Sequence, residues 1–300
     1  MKRILAAFFT VALLGALACQ EEETSPQAQT PLKEATVKVL MTQAWDPGWS
    51  PAGDKLVYVE EWRVTVMDLA TTTPTPITPD YGSAGYCPRS PVWLPGNKIA
   101  FLRKDEITGL FDIYLVPAGG GDIAKYDADA AADSGLARSV DGRYLYFTNR
   151  EDLLIYRYDL EYAAKARITN THMTGFGHFD AVVKPNTNRI YFEERKTPFN
   201  RDPHTEYIDE VIARPGYVPG LVYQASKPFL KGLTVSPDGA HVIFAREDGL
   251  YAADVNKSTE KWLTRAPNAW ADKDCDPAYS PRGDRIAFTR AGDICTCEGL

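Results

Sequence analysis

Three observations predict an all-β fold of six radial sheets, a six-bladed β-propeller. A turn-plus-strand unit recurs six times, the units are spaced in the forties, and no long helical periodicity follows the first 17 residues. The turns lie at 50–53 (Ser-Pro-Ala-Gly), 94–96, 140–142, 184–187, 236–239 (Ser-Pro-Asp-Gly) and 280–283 (Ser-Pro-Arg-Gly). A basic or imidazole side chain and a burst of β-formers come next, at 55–59, 98–102, 143–147, 189–193, 241–245 and 285–289. Turn positions 53, 96, 142, 187, 239 and 283 are 43, 46, 45, 52 and 44 residues apart. A period of that length holding several strands marks propeller blades. The 16 Tyr and 12 Phe suit sheet, and the 22 Gly and 21 Pro can punctuate many short strands.

The chain opens with Lys2 and Arg3, then an apolar run over 4–17 that closes on Leu17, Ala18 and Cys19. Fourteen apolar residues are too few to span a bilayer at about 1.5 Å per residue. The charged start, apolar middle and small-residue end read as a secretory signal. Leu17-Ala18-Cys19 resembles the lipobox of bacterial lipoproteins, which implies cleavage before Cys19 and lipidation there, with 1–18 as the signal peptide. Three acyl chains, at about 0.8 kcal/mol per buried methylene, would hold the protein on a membrane. Residues 19–35, with Glu21, Glu22, Glu23 and two prolines before Leu32, bury too little to fold and are expected to be a disordered tether. The acidic run after the Cys resembles surface-export signals of some Bacteroidetes lipoproteins. The expected location is therefore the outer membrane, on its periplasmic or its outer face.

The propeller is assigned to 36–300. The sixth unit shows the order of strands: 276–280, a Pro-Gly turn, 284–290, a turn at Gly292-Asp293 and a third strand through Ile294. The fifth unit adds a fourth strand at 261–264 (Lys-Trp-Leu-Thr), echoed by Ile77-Thr78 and Ile168-Thr169. The sixth has no room for one before Leu300. Residues 37–42 (Val-Lys-Val-Leu-Met-Thr) are the spare strand, and pairing them into the last blade closes the ring without a long free edge.

The run 47–58 (Pro-Gly-Trp-Ser-Pro-Ala-Gly-Asp-Lys-Leu-Val-Tyr) resembles the WD-type repeat of TolB-like propellers. So do 234–239 and 278–283, and 111–114 (Phe-Asp-Ile-Tyr) with 118–120 fits the family's third strand and turn. The resemblance covers about 36–300. It implies the fold more than an activity. TolB proper carries a further N-terminal α/β domain and no lipid, so the expectation is a relative rather than TolB itself.

Aligned on the turns, Asp46, Ser90, Gly135, Asp180, Gly232 and Asp276 share one register. Two residues earlier stand Ala44, Pro88, Asp133, His178, Leu230 and Asp274. In propellers of this kind such segments enter the innermost strands. Asp46, Asp133, His178, Asp180, Asp274 and Asp276 are therefore expected to ring one mouth of the central channel as an acidic funnel. A funnel suits a divalent cation or a basic peptide. The alternative is that each Asp hydrogen-bonds its own turn. The long interval of the fourth unit lies between 196 and 220, where Arg201, His204 and Tyr217 are binding candidates on an extended loop.

Cys87, Cys275, Cys295 and Cys297 could form two disulfides in an oxidising compartment. Cys295 and Cys297 are alternate residues of one strand, which disfavours a mutual bond, and Cys275 is the easier partner. All four are expected to be ordinary sheet residues. A formal charge of −7 argues against nucleic acid as a partner. No Gly-x-Ser-x-Gly, His-Glu-x-x-His or phosphate loop occurs, and there are only four His. The expectation is a monomeric, cofactor-free envelope module that binds a protein or peptide and touches the membrane through its lipid alone. The rival is a metal-dependent carbohydrate lyase with its site in the funnel.

Overall fold

Each Ser-Pro-x-Gly turn is a hydrogen-bonded corner. In the computed structural model Gly283 N–H donates to the Ser280 carbonyl at 3.0 Å, and Gly283 sits at φ 76, where a side chain would be strained. The Ser280 hydroxyl oxygen accepts from Arg285 N–H at 3.1 Å, and its hydrogen goes to Asp284 at 2.7 Å. Ser50 repeats the pattern with Lys55 and Asp54 at 3.0 and 2.8 Å. The motif thus ends one strand and aims the next. The structure describes residues 35–299 except 83–84, 133, 171–174, 197–205, 213–219, 225–231, 258 and 269–272.

The described residues form six four-stranded antiparallel sheets and no helix. From the centre outwards, blade one is Ala44–Trp49, Lys55–Glu60, Arg63–Asp68 and Thr73–Pro76. Blade two is Arg89–Leu94, Lys98–Lys104, Phe111–Pro117 and Ala124–Ala130. Blade three is Ala137–Arg138, Tyr144–Thr148, Ile155–Asp159 and Ala164–Arg167. Blade four is Phe176–Val183, Arg189–Lys196, Glu206–Ile212 and Gly220–Gln224. Blade five is Leu233–Val235, His241–Arg246, Gly249–Asp254 and Thr259–Trp262. Blade six is Asp274–Tyr279, Arg285–Arg290 and Asp293–Glu298, completed by Lys38–Met41 from the other end of the chain. Lys38 faces Thr296 and Met41 faces Ile294. The expected closure is what the chain does.

The core is six wedges, one between each pair of neighbouring blades. Ile286, Phe288, Cys295 and Cys297 pack on Ile243, Ala245 and Leu250 between blades five and six. Ala287 and Ile294, on the other face of blade six, meet Leu56, Tyr58 and Met67 of blade one. The second strand of a blade is therefore apolar on both faces, which is why the bursts read as continuous runs rather than as alternation. Removing a ring such as Phe288, fully buried, would cost about 3–5 kcal/mol. Closure of the ring is itself hydrophobic, since the last wedge joins the first blade to the last.

Cys87, Cys275, Cys295 and Cys297 are free thiols, and no disulfide joins them. Burial pushes the Cys295 and Cys297 thiols up to about 11 and about 12, so both stay protonated and unreactive at neutral pH.

Candidate functional site

The innermost strands of blades one, two, four and six each break register once, at Trp45/Gly48, Arg89/Val92, Phe179/Val182 and Cys275/Ala278. At each break one residue is left-handed: Asp46 (φ 54), Ser90 (φ 47), Asp180 (φ 47) and Asp276 (φ 49). Asp accepts that conformation better than most residues, and a bulge redirects its side chain. All four then line a cavity of about 200 Å³ on the propeller axis, where Gly135 and Gly232 complete the ring. The register read from the turns is the ring that the blades build.

The carboxylates also tie blade to blade. Asp46 Oδ2 accepts from Ser90 N–H at 2.9 Å, and Asp180 Oδ2 accepts from Gly232 N–H at 2.9 Å. Asp46 N–H donates to Thr289 Oγ1 of blade six at 3.2 Å. Glycine is required beside Asp180, because a Cβ on Gly135 would stand 2.7 Å from Asp180 Oδ1. The donors to Asp46 and Asp180 in these bonds thus belong to the next blade rather than to their own turn, and Asp46, Asp180 and Asp276 all line the cavity. Among the described residues no Lys, Arg or His lines this cavity.

His178 and Asp274 are not part of that ring. Both are fully buried within their blades. Thr169 Oγ1 accepts from Ile155 N–H at 3.0 Å, its hydroxyl donates to His178 Nδ1 at 2.6 Å, and His178 Nε2–H is left to donate to Glu194 Oε1 at 3.2 Å. The imidazole also packs on Phe192, centroid to centroid 4.6 Å. In blade six Thr264 Oγ1 accepts from Leu250 N–H at 3.0 Å and donates to Asp274 Oδ2 at 2.6 Å. Arg290 grips Asp274 with two bonds of 2.6 and 2.8 Å. The physical reason for the correction is strand alternation. Two residues before a bulge, the side chain points into the wedge between blades, not along the axis.

Blade four adds carboxylates. Glu194 and Asp209 are 1% and 2% exposed, and they share a hydrogen bond. Burial first, then the charge of Glu194, pushes Asp209 up to about 7. Sequence reasoning passed over this group. The available signal was two successive Glu, 193 and 194, ending a burst otherwise expected to be buried.

A second feature missed from sequence is the hairpin tip of blade one. Glu60 pairs with Arg63, so the loop is Glu61-Trp62 alone, at φ 45 and φ 62. That is the geometry of a type I′ turn, which Asn-Gly serves best. Blade six makes the same turn with Ala291 and Gly292. Holding two ordinary residues left-handed costs about 1 kcal/mol or more each. Trp62 meets Trp45 edge-on at 5.7 Å, and Trp45 directly precedes Asp46. Asp133, Arg201, His204, Tyr217 and Cys19 lie outside the described residues. Among the described residues no three His, Cys, Asp or Glu come together as a metal site.

No family model matches the chain. Among solved structures it is similar to TolB from Acinetobacter baumannii, at 17% identity and a TM-score of 0.55, over 88% of this chain and 55% of that one. The chain thus spans about half the length of that protein. A structure described as a putative TolB from Agrobacterium tumefaciens is similar at 19% identity and a TM-score of 0.61, over 86% of this chain and 91% of that one. A gluconolactonase from Xanthomonas campestris is similar at 13% identity and a TM-score of 0.67, over 89% and 90% of the two chains.

Proposed function

These likenesses are of fold, which TolB proteins and a lactonase share, so the activity has to be argued from the site. We propose that the protein is a non-catalytic binding module of the cell envelope, tethered by a lipid on Cys19, whose channel cavity takes a cationic segment of a partner protein. The observation that carries this reading is the gathering of Asp46, Asp180 and Asp276 round one cavity whose described lining residues include no basic side chain. Carboxylates gathered round one cavity favour positive charge there. The leader ending in Leu17-Ala18-Cys19 supports the tether.

The test is capture from envelope extract by the parent and by a triple variant, Asp46→Asn, Asp180→Asn and Asp276→Asn, with and without a chelator. A protein held by the parent and lost with the triple variant supports the reading. Equal recovery on both sinks it. Retention that disappears with the chelator assigns the cavity to a divalent cation instead. For the tether, Cys19→Ala is expected to move the protein from the membrane fraction to the soluble one and to abolish incorporation of labelled palmitate. The metal-dependent lyase reading lacks a ligand set among the described residues.

A further inference from the structure

Tyr146 departs from a pattern that most blades share. On the second strand, the residue that pairs with the inner strand just inside the turn is Val57, Ala100, Ile243 and Ala287 in blades one, two, five and six. Blades three and four put a tyrosine at this place, Tyr146 and Tyr191. Blade four satisfies its phenol from within. The Tyr191 hydroxyl donates to Glu210 and accepts from Lys184, and Glu210 also accepts from Lys184 at 3.1 Å and from Arg189 at 2.6 Å. Glu210 is the register partner of Tyr191 on the third strand, whereas the register partner of Tyr146 is Arg157. Where blade four supplies a carboxylate, blade three supplies a guanidinium.

The Tyr146 hydroxyl accordingly has no hydrogen-bond partner among the described residues, although the side chain is only 4% exposed. A phenol buried to that extent ordinarily finds one. The unbonded Tyr58 hydroxyl is sealed from solvent, but that of Tyr146 opens into a cavity of about 460 Å³ between the turns of blades three and four. Tyr144, Arg157, Asp141 and Asn188 line it too, and it has no lining residue in common with the axial cavity. Arg157 lies over the Tyr144 ring at 4.6 Å, and its charge acts on the Tyr146 hydroxyl. Burial pushes that phenol up to about 12, so it keeps its proton at neutral pH and can donate it. The Ser139 hydroxyl, then Arg143 N–H, holds the Asp141 carboxyl below its usual range. An ionised Asp141 accepts hydrogen bonds and repels a second negative charge.

We infer that this cavity binds a small hydroxylated carboxylic acid, whose carboxylate takes the place that Glu210 has in blade four. It accepts from Tyr146, faces Arg157, and its hydroxyls donate to Asp141 and meet Asn188. A doubly charged phosphate fits less well beside Asp141, and the volume is that of a small-molecule site. The binding is separate from that of a partner at the axial cavity.

The experiment uses the full chain in detergent, titrated by calorimetry with quinate, with myo-inositol as its uncharged counterpart and with inorganic phosphate. The parent is expected to bind quinate and to bind neither of the others comparably. Tyr146→Phe keeps the ring and removes the donor, and should weaken quinate binding by about five- to tenfold. Arg157→Met should weaken it by about tenfold or more. Tyr146→Phe decides the matter alone if the Arg157 variant does not fold. Tyr191→Phe, which removes the phenol that blade four satisfies itself, should leave quinate binding as in the parent. Quinate bound equally by the parent and by Tyr146→Phe overturns the site, as does a parent that binds no quinate. Inositol or phosphate bound as tightly as quinate overturns the choice of a carboxylate.

Discussion

Blades four and six build the same three-point node with opposite charges. In each, a threonine at the end of the preceding blade caps a buried N–H of its own blade and donates to a residue near the start of the next inner strand, the third residue in blade four and the first in blade six. That residue is His178 in one and Asp274 in the other. Its register partner on the second strand is Glu194 in one and Arg290 in the other. Blade six closes the node as a buried carboxylate–guanidinium pair. Blade four closes it with an imidazole and a carboxylate, then adds Asp209. What the propeller specifies is a position with a hydrogen-bond demand; the sign of the charge that meets it is free to change. The node in blade six is self-neutralising, whereas the one in blade four holds an excess of acid.

The comparison breaks most readily at Arg290. Arg290→Met leaves Asp274 buried without its counter-ion, and about 3–5 kcal/mol of stability should go, lowering the thermal midpoint by about 10 °C. Transplanting the blade-four pair, Asp274→His with Arg290→Glu, should restore part of that loss. A double variant less stable than Arg290→Met would show that the two nodes are not interchangeable.

A smaller effect concerns pH. Asp209 holds its proton up to about pH 7 when folded but only to the usual carboxylate range when unfolded. Its contribution is complete below about pH 4 and is lost as pH rises through about 7. Asp209→Asn should flatten the fall in stability between pH 5 and 8 and stabilise the protein at the alkaline end by on the order of 2–4 kcal/mol. Denaturant titrations at several pH values check this, and parallel curves for parent and variant would contradict it.

The smallest effects sharpen the equivalence. Thr169→Val and Thr264→Val each strand a buried N–H and remove one donor, costing about 1–3 kcal/mol. The two losses should agree to within about 0.5 kcal/mol when measured by chemical unfolding near pH 5. A wide difference would mean that the threonines do different jobs.

Much of this molecule could be read before its structure. The Ser-Pro-x-Gly corners of blades one, five and six repeat because each needs the same Ser hydroxyl and the same left-handed Gly, and Ser139 with Gly142 bonds in the same way in blade three. The spare strand at Lys38–Met41 was legible as the complement of a sixth unit that stops early. Register alone put Asp46, Asp180 and Asp276 at equivalent places on their inner strands, and the three line one cavity. His178 and Asp274 were placed wrongly because register gives position along a strand, not which side of a bulge the side chain leaves. Glu194 and Asp209 went unread because they come together across strands, Glu194 pairing with Tyr207 and Asp209 with Phe192. Trp62 was missed because a left-handed Glu-Trp turn has no compositional signature.

By itself the sequence determined blade number, strand order and ring closure. Those follow from local turn chemistry and from runs of apolar residues that need a neighbour on both faces. Only the tertiary structure decided which acids face the channel and which are sealed between blades. The bulges turn Asp46, Asp180 and Asp276 towards the axis and leave Asp274 and His178 facing into the blade contacts. That choice depends on one extra residue per strand and on the packing of the adjacent sheet, neither of which a single repeat encodes.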